Sequence, residues 1–272
     1  MKPVEPFLTP GYYQRVSVGV NYYWRTLVTA ACFIAFAVCG LLFSVLLYPV
    51  LLLLGERRRA PAKWLVHKFF SGIVAALKAS GCMRLETSGL ERLRNAGPVI
   101  VLANHPTYID FVVLLSLMPK ANCVVKREHW ENPVFGGMVR AAGFVRSSRA
   151  DQLAEECSRA LQDGNPLIIF PEGTRSDPGA PVRFRRGAGY AAVKSGKPIV
   201  PVVLQCDPPT LNKQSRWYQV PPRPFHYRVA VRGAMRPEAL AEMRQGCPVA
   251  AARKLTVALE GFFSHELGAS HP

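Results

Sequence analysis

Two short stretches place side chains capable of chemistry where an apolar strand runs out. The first, Asn104-His105-Pro106-Thr107-Tyr108-Ile109-Asp110, follows the run PVIVLA; the second, Phe170-Pro171-Glu172-Gly173-Thr174-Arg175-Ser176, ends the run PLIIF. Histidine alone has an unperturbed pKa near neutrality, so it can take a proton from an alcohol and give it back. Such a base needs its second ring nitrogen held by an acceptor. Asp110 falls about one helical turn after His105, within reach if the loop curls over the start of a helix. A histidine and aspartate so spaced also suit a plain helix cap, and spacing alone leaves both readings open. In the second stretch an acid, a glycine and a guanidinium share one turn. Glycine lets successive amide N–H groups point inward, and arginine grips a phosphate through two parallel N–H bonds. A strand-to-loop turn with a surface Glu–Arg pair would read the same.

The elements that must position these residues alternate from Gly81 onward. MRLETSG, PVIVLAN, ANCVVKRE, GFVRSS, PLIIF and IVPVVLQ read as strands, and HYRVAVRG as an edge strand. IDFVVLLSLM, PVFGGMVRAAG, DQLAEECSRALQDG, GAGYAAVKSG and VAARKLTVALEGFF read as helices, with Asp151 as an N-cap and Gly164 as a stop. Alternation of this kind predicts one α/β domain, residues 81–272, whose mostly parallel or mixed sheet is flanked by helices. In open α/β sheets, sites gather where strand ends meet helix starts. NHPTYID, Arg149 after GFVRSS, and PEGTRS all fall there. The Pro-rich segment from Asp207 to Pro224, with Trp217 and Tyr218, reads as a surface excursion.

Residues 1–80 have a different texture. Thr26 to Gly55 holds no charged residue, which is enough apolar chain to cross a bilayer core. Glu56-Arg57-Arg58-Arg59, Lys63 and Lys68 follow, and Lys/Arg excess beside a span marks the cytoplasmic side. The expectation is a membrane anchor, a bacterial inner-membrane location and a cytoplasmic catalytic domain. Arg15 and Arg25 on the other flank oppose that orientation, and Pro49 allows a re-entrant helix in place of a full span. Ala62–Ser80 reads as a further helix, suited both to the headgroup zone and to packing on the domain. A net charge of +16 calls for anionic partners. Nucleic acid is not expected, because ERRR and RFRR lack interleaved aromatic residues. Seven scattered cysteines, never spaced CxxC, argue against a structural zinc site or a disulfide framework, and no metal is expected.

NHPTYID and FPEGTRS together resemble the glycerolipid acyltransferase family, the lysophospholipid acyltransferases or PlsC-like enzymes. The family's four ordered blocks match at Asn104, His105 and Asp110; at Gly143 and Arg149; throughout FPEGTRS; and at Val200-Pro201-Val202-Val203. Lys126 and Phe184-Arg185-Arg186-Gly187 are lesser matches. The second block departs at Arg146, where the family more often has an apolar residue, and at Ser148, where an acid is common. The resemblance implies acyl transfer from acyl-CoA or acyl carrier protein to a lysophospholipid hydroxyl, lysophosphatidic acid foremost, with no cofactor beyond that thioester co-substrate. It implies His105 as base, Asp110 as its partner, and Arg149 and Arg175 as the clamp on the acceptor phosphate. Glu172, Gly173 and Thr174 would shape that pocket. Arg146 reads either as a third phosphate ligand or as a surface charge, and Lys126 is open between the same two readings. No cysteine or serine sits in a nucleophile motif, so transfer without an acyl-enzyme is the simpler scheme. A different acceptor, such as a lyso-ornithine-type or polyene lipid, and a non-catalytic lipid-binding relative are the alternatives. His67, His129, His226, His265 and His271 lack an acidic partner at motif spacing and read as structural or surface residues.

Overall fold

The computed structural model describes residues 20–94, 96–177, 180–235 and 247–269. The first nineteen residues of the expected anchor segment, Arg15 among them, and His271 lie outside the described residues.

Seven strands form the sheet: β1 (Met83–Ser88), β2 (Ile100–Ala103), β3 (Asn122–Val125), β4 (Val145–Arg146), β5 (Leu167–Ile169), β6 (Ile199–Asp207) and β7 (Phe225–Val231). Their order across the sheet is β1-β7-β6-β2-β5-β3-β4, and every neighbouring pair is parallel except β6 with β7. Central β2 and β5 are buried at every position, which explains why they read as unbroken apolar runs. HYRVAVRG is not at the edge. β7 lies between β1 and β6, with β1 outside it. Its alternating apolar and polar residues record one solvated face, not a missing neighbour: Tyr227, Val229 and Val231 point inward.

Two apolar layers cover the sheet. On one face Val101, Ala103, Val202 and Leu204 pack under helices α1 (Val20–Leu42), α3 (Arg59–Ala79), α5 (Asp110–Leu117) and α7 (Gly136–Ala141). On the other, Ile100, Leu102, Ile169 and Val203 pack under α8 (Ala150–Gln162), α9 (Arg186–Ser195) and α10 (Pro248–Ala269). A single turn of helix, α4 (Glu91–Arg94), lies in the connection from β1 to β2. Arg149, not Asp151, occupies the N-cap of α8, and no side chain caps that end. Asp151 sits in the first turn, where a carboxylate still complements the helix dipole. The expected stop holds, for Gly164 follows the helix at φ +76°.

The N-terminal helix runs on through a π-helical turn, Phe43–Leu47, into α2 (Tyr48–Leu52). Pro49 lies in the first turn of α2, and a proline cannot supply the N–H of a regular helical bond, so the wider turn before it absorbs the defect. Ser44 ties that turn to α7 by donating to the Val134 carbonyl at 2.7 Å and accepting from the Gly137 N–H at 3.2 Å. Gly137 is required there, since a Cβ would stand 2.5 Å from the Ser44 Cα. The chain reverses at Gly55 and returns as α3, which buries Ala62, Lys63, Val66, Phe70, Val74 and Leu77 against the domain. Of the two uses open to this helix, packing takes one face, while Trp64 stays exposed with Lys68 over its ring. The Asp207–Pro224 excursion is also no loose surface loop: Thr210, Leu211, Asn212 and Val220 are buried.

Candidate active site

His105 and Asp110 meet as their spacing suggested. His105 Nδ1 lies 2.6 Å from Asp110 Oδ2, in the turn between β2 and α5. Asp110 is fully buried and accepts three more hydrogen bonds: from Thr107 N at 2.9 Å, Thr107 Oγ1 at 2.6 Å and Tyr227 Oη at 2.6 Å. It is also the first residue of α5, where the partial positive charge of the helix start favours an anion. An ionised carboxylate only accepts, so Nδ1 carries the hydrogen and Nε2 keeps its lone pair for another molecule. The imidazole side chain is 19% exposed. An imidazole oriented by a buried acceptor on one nitrogen is what a general base would require.

FPEGTRS wraps the histidine. The Phe170 ring stacks on the imidazole at 4.4 Å. The Glu172 carboxylate accepts from the His105 N–H at 2.9 Å and from Ser176 Oγ at 2.8 Å. Ser176 N–H in turn donates to the His105 carbonyl at 2.7 Å. Both backbone groups of His105 are thus held by one neighbouring turn, and Glu172 acts on protein partners. Burial pushes its carboxyl above the ordinary carboxylate value, against the pull of those hydrogen bonds. Gly173 makes the turn possible at φ +66°, and a Cβ there would stand 2.6 Å from Arg185 Nε.

Arg175 looks the other way. Its Nη1 donates to the carbonyls of Leu211 at 3.1 Å and Asn212 at 2.6 Å, and its guanidinium lies over the Tyr108 ring at 4.9 Å. It lines a pocket of about 280 Å³ with Phe33, Tyr108, Leu211, Ser215 and Trp217. Phe33, Tyr108 and Leu211 also border an almost wholly apolar cavity beneath α1, which reaches Phe36, Ile73 and Val112. The polar and the apolar pocket thus share Phe33, Tyr108 and Leu211 as walls, and His105 lines neither.

The remaining expected residues are less concentrated. Arg149 is exposed at the start of α8 and lines neither pocket. Arg146 is exposed on β4, 3.9 Å from Glu131. Lys126 precedes the short helix α6 (Arg127–Trp130), and Thr174 is partly buried in the FPEGTRS turn. One residue in contact with the pair carries no motif signal. Tyr227 comes from β7 to complete the Asp110 shell; burial, then the Asp110 charge, holds its phenol well above the usual value, so it stays a donor. Burial, followed by Lys126, holds the pKa of His129 below the usual histidine value.

The His105–Asp110 pair thus sits at the C-terminal ends of the parallel strands, against the FPEGTRS turn. Residues 84–205 match the family model described as Acyltransferase. A chloroplastic 1-acyl-sn-glycerol-3-phosphate acyltransferase, BAT2 of Brassica napus, is 30% identical over 163 residues, covering 58% of this chain and 46% of that protein. The human 1-acyl-sn-glycerol-3-phosphate acyltransferase beta is 33% identical over 146 residues, covering 50% and 51%. The chain spans about half the length of the curated relatives it matches. The crystal structure of the 1-acyl-sn-glycerophosphate acyltransferase PlsC from Thermotoga maritima superposes with a TM-score of 0.62 at 20% identity, covering 91% of this chain and 99% of that one, and so shares the fold. Over residues 84–205 the chain is thus similar to the Acyltransferase family, and it shares its fold with PlsC.

Proposed function

We propose that this chain is a 1-acyl-sn-glycerol-3-phosphate acyltransferase, moving a fatty acyl group from a thioester to the free hydroxyl of lysophosphatidic acid. The observation that carries the reading is the His105–Asp110 pair, with Asp110 saturated by four donors and Nε2 left for substrate. The names of the relatives support the acceptor. Nε2 takes the proton as the hydroxyl oxygen attacks the thioester carbonyl. Asp110 stabilises the imidazolium that forms, the tetrahedral intermediate collapses with C–S cleavage, and the leaving thiolate takes the proton back. The donor is acyl-CoA or acyl-acyl carrier protein. Arg175 holds the acceptor phosphate in the polar pocket, and the adjoining apolar cavity takes hydrocarbon. Arg149, Arg146 and Lys126 supply further positive charge for the anionic substrates, and Thr174 forms part of the wall.

The protein works at a membrane. The helix over Asn21–Leu52 is long and apolar enough to cross one. However, its inner face is bound to the domain along most of its length: Arg25 to Pro221 and Pro222, Phe36 to Phe135 and Phe111, Ser44 to Val134. An upright span would drag the sheet domain into hydrocarbon, so the helix lies embedded in one leaflet with Leu27, Ile34, Val38 and Val45 toward lipid. This is the re-entrant alternative allowed by Pro49, with the domain on the cytoplasmic side.

Thioester release against a panel of lysolipids tests the function. Release with lysophosphatidate, with Arg175→Ala raising its apparent KM about tenfold or more at an anionic site, is the expected result. Release only with a lysolipid lacking the phosphomonoester would replace the acceptor, and release with none would leave a binding protein.

A further inference from the structure

We infer that residues 208–224, between β6 and β7, form a second membrane-contacting surface, which seats Arg216, Trp217 and Tyr218 in the headgroup zone of an anionic bilayer beside α1. The inference rests on the membrane-embedded reading of α1 and assigns the bilayer a contact in the sheet domain itself.

The segment is rigid at its base and aromatic at its tip. Thr210, Leu211, Asn212 and Val220 are buried, whereas Trp217 is 51% and Tyr218 41% exposed. Asn212 Oδ1 accepts from the N–H groups of Gln214 and Ser215, and Gln219 Oε1 accepts from that of Arg216, so the tip has a fixed shape. Two large aromatic rings held in water by an ordered loop call for a partner.

The loop's position says which partner. Arg25, buried on α1, donates to the carbonyls of Pro221 at 3.2 Å and Pro222 at 2.6 Å. Eight positions further along the same helix, Phe33 packs on Trp217 at 6.0 Å. The tip is therefore fastened to α1, a helix that leaves Leu27 and Ile34 exposed elsewhere on its surface. A bilayer in which α1 is embedded thus has Trp217 and Tyr218 close at hand, since the tip is held to that helix.

The chemistry of the tip fits the interface. Tryptophan and tyrosine concentrate at headgroup depth, where an apolar ring body and a polar edge are both satisfied. Tyr23 and Trp24 repeat the pattern at the start of α1. Arg216 donates to Tyr218 Oη at 2.6 Å and makes no ion pair with an acid among the described residues, so its charge is available to lipid phosphate. The loop also walls the polar pocket: Leu211, Ser215 and Trp217 line it, and the Leu211 and Asn212 carbonyls hold Arg175. An acceptor lysolipid can then pass from bilayer to Arg175 between α1 and the loop, keeping its chain in apolar surroundings.

The full chain and vesicles of phosphatidylcholine with or without phosphatidylglycerol test this. Arg216→Glu and Tyr218→Ser should each weaken partitioning onto the anionic vesicles about fivefold or more, with thermal stability unchanged. Lipids brominated near the headgroup should quench the parent protein's tryptophan fluorescence, and Trp217→Phe should remove a measurable share of that quenching. Turnover of a monomeric short-chain lysolipid should be the same in Arg216→Glu as in the parent, while turnover of a vesicle-borne one falls. Unchanged partitioning in both variants, or quenching unaffected by Trp217→Phe, overturns the inference and marks the tip as a protein contact. Because partitioning and quenching need no turnover, a chain that acylates none of the lysolipids yet loses binding in these variants would fail the proposed function and keep this surface.

Discussion

Tyr227 Oη donates to Asp110 Oδ1 at 2.6 Å, joining residues 117 positions apart in the sequence. β7 crosses the sheet between β1 and β6, and its inward alternation delivers the phenol beneath α5, where the carboxylate is fully buried. Removing that hydroxyl leaves a buried anion short of a donor, worth about 1.5–3 kcal/mol for a bond to a charged group. Tyr227→Phe should lower kcat about tenfold, leave the acceptor KM unchanged and lower the unfolding free energy. Equal kcat in steady-state assays would mean that Thr107 and His105 alone position Asp110.

Glu172 gives a pH signature. Burial raises its carboxyl above the ordinary value of 4.5. A raised pKa means that its contribution to stability is complete below 4.5 and is lost as pH rises through the raised value. Glu172→Gln cannot ionise and lacks this loss. The Tm of the variant relative to the parent should therefore climb from about pH 4 to about pH 7 in a scanning-calorimetry series, and a flat difference would show that the carboxylate carries no burial penalty. Glu172→Ala, which removes the acceptor of the His105 N–H, should lower kcat about tenfold or more, given the usual cost of an unpaired buried donor.

Lys63 runs in the opposite direction. It is 6% exposed on α3, and burial lowers its ammonium from 10.5 to about 8, with Asp163 opposing and Arg59 adding to the shift. A lowered pKa in a base means that its contribution is present above 10.5 and lost as pH falls through about 8. Lys63→Met should raise Tm near neutral pH, and the gain should vanish by pH 10.5. A gain that persists there would trace to packing, not charge.

The contact between α1 and the domain turns on Gly137. Its missing Cβ leaves room for the Ser44 backbone at 2.5 Å. Gly137→Val should destabilise the fold by about 1–3 kcal/mol through overpacking, seen as a lower denaturation midpoint. It should also expose the α1–α7 seam to proteolysis near Ser44. A midpoint equal to the parent's would mean that the helix is not docked there.

The parts of the site within one strand–turn–helix unit were legible in the sequence. His105 and Asp110 lie five positions apart, and local geometry alone brings them together. FPEGTRS was legible as a second wall, but its main contact was not. Glu172 reads as a pocket residue, and the structure adds that it holds the backbone of His105, a contact set by the neighbouring positions of β2 and β5. Tyr227 carried no signal, because only strand order places it, and HYRVAVRG looked like an edge. Alternation reports which face is wet and is silent about neighbours. Likewise, Ala62–Ser80 shows its amphipathic spacing plainly, but spacing does not say whether lipid or α5 covers the apolar face.

The central claim is that His105 is the base, and it is tested most directly by the rate of thioester release to lysophosphatidate in His105→Ala. The expected result is a fall of about 10²–10⁴ in kcat, the usual range for a lost general base, with Tm and vesicle partitioning unchanged. A rate within about threefold of the parent enzyme, far short of that range, would contradict the account.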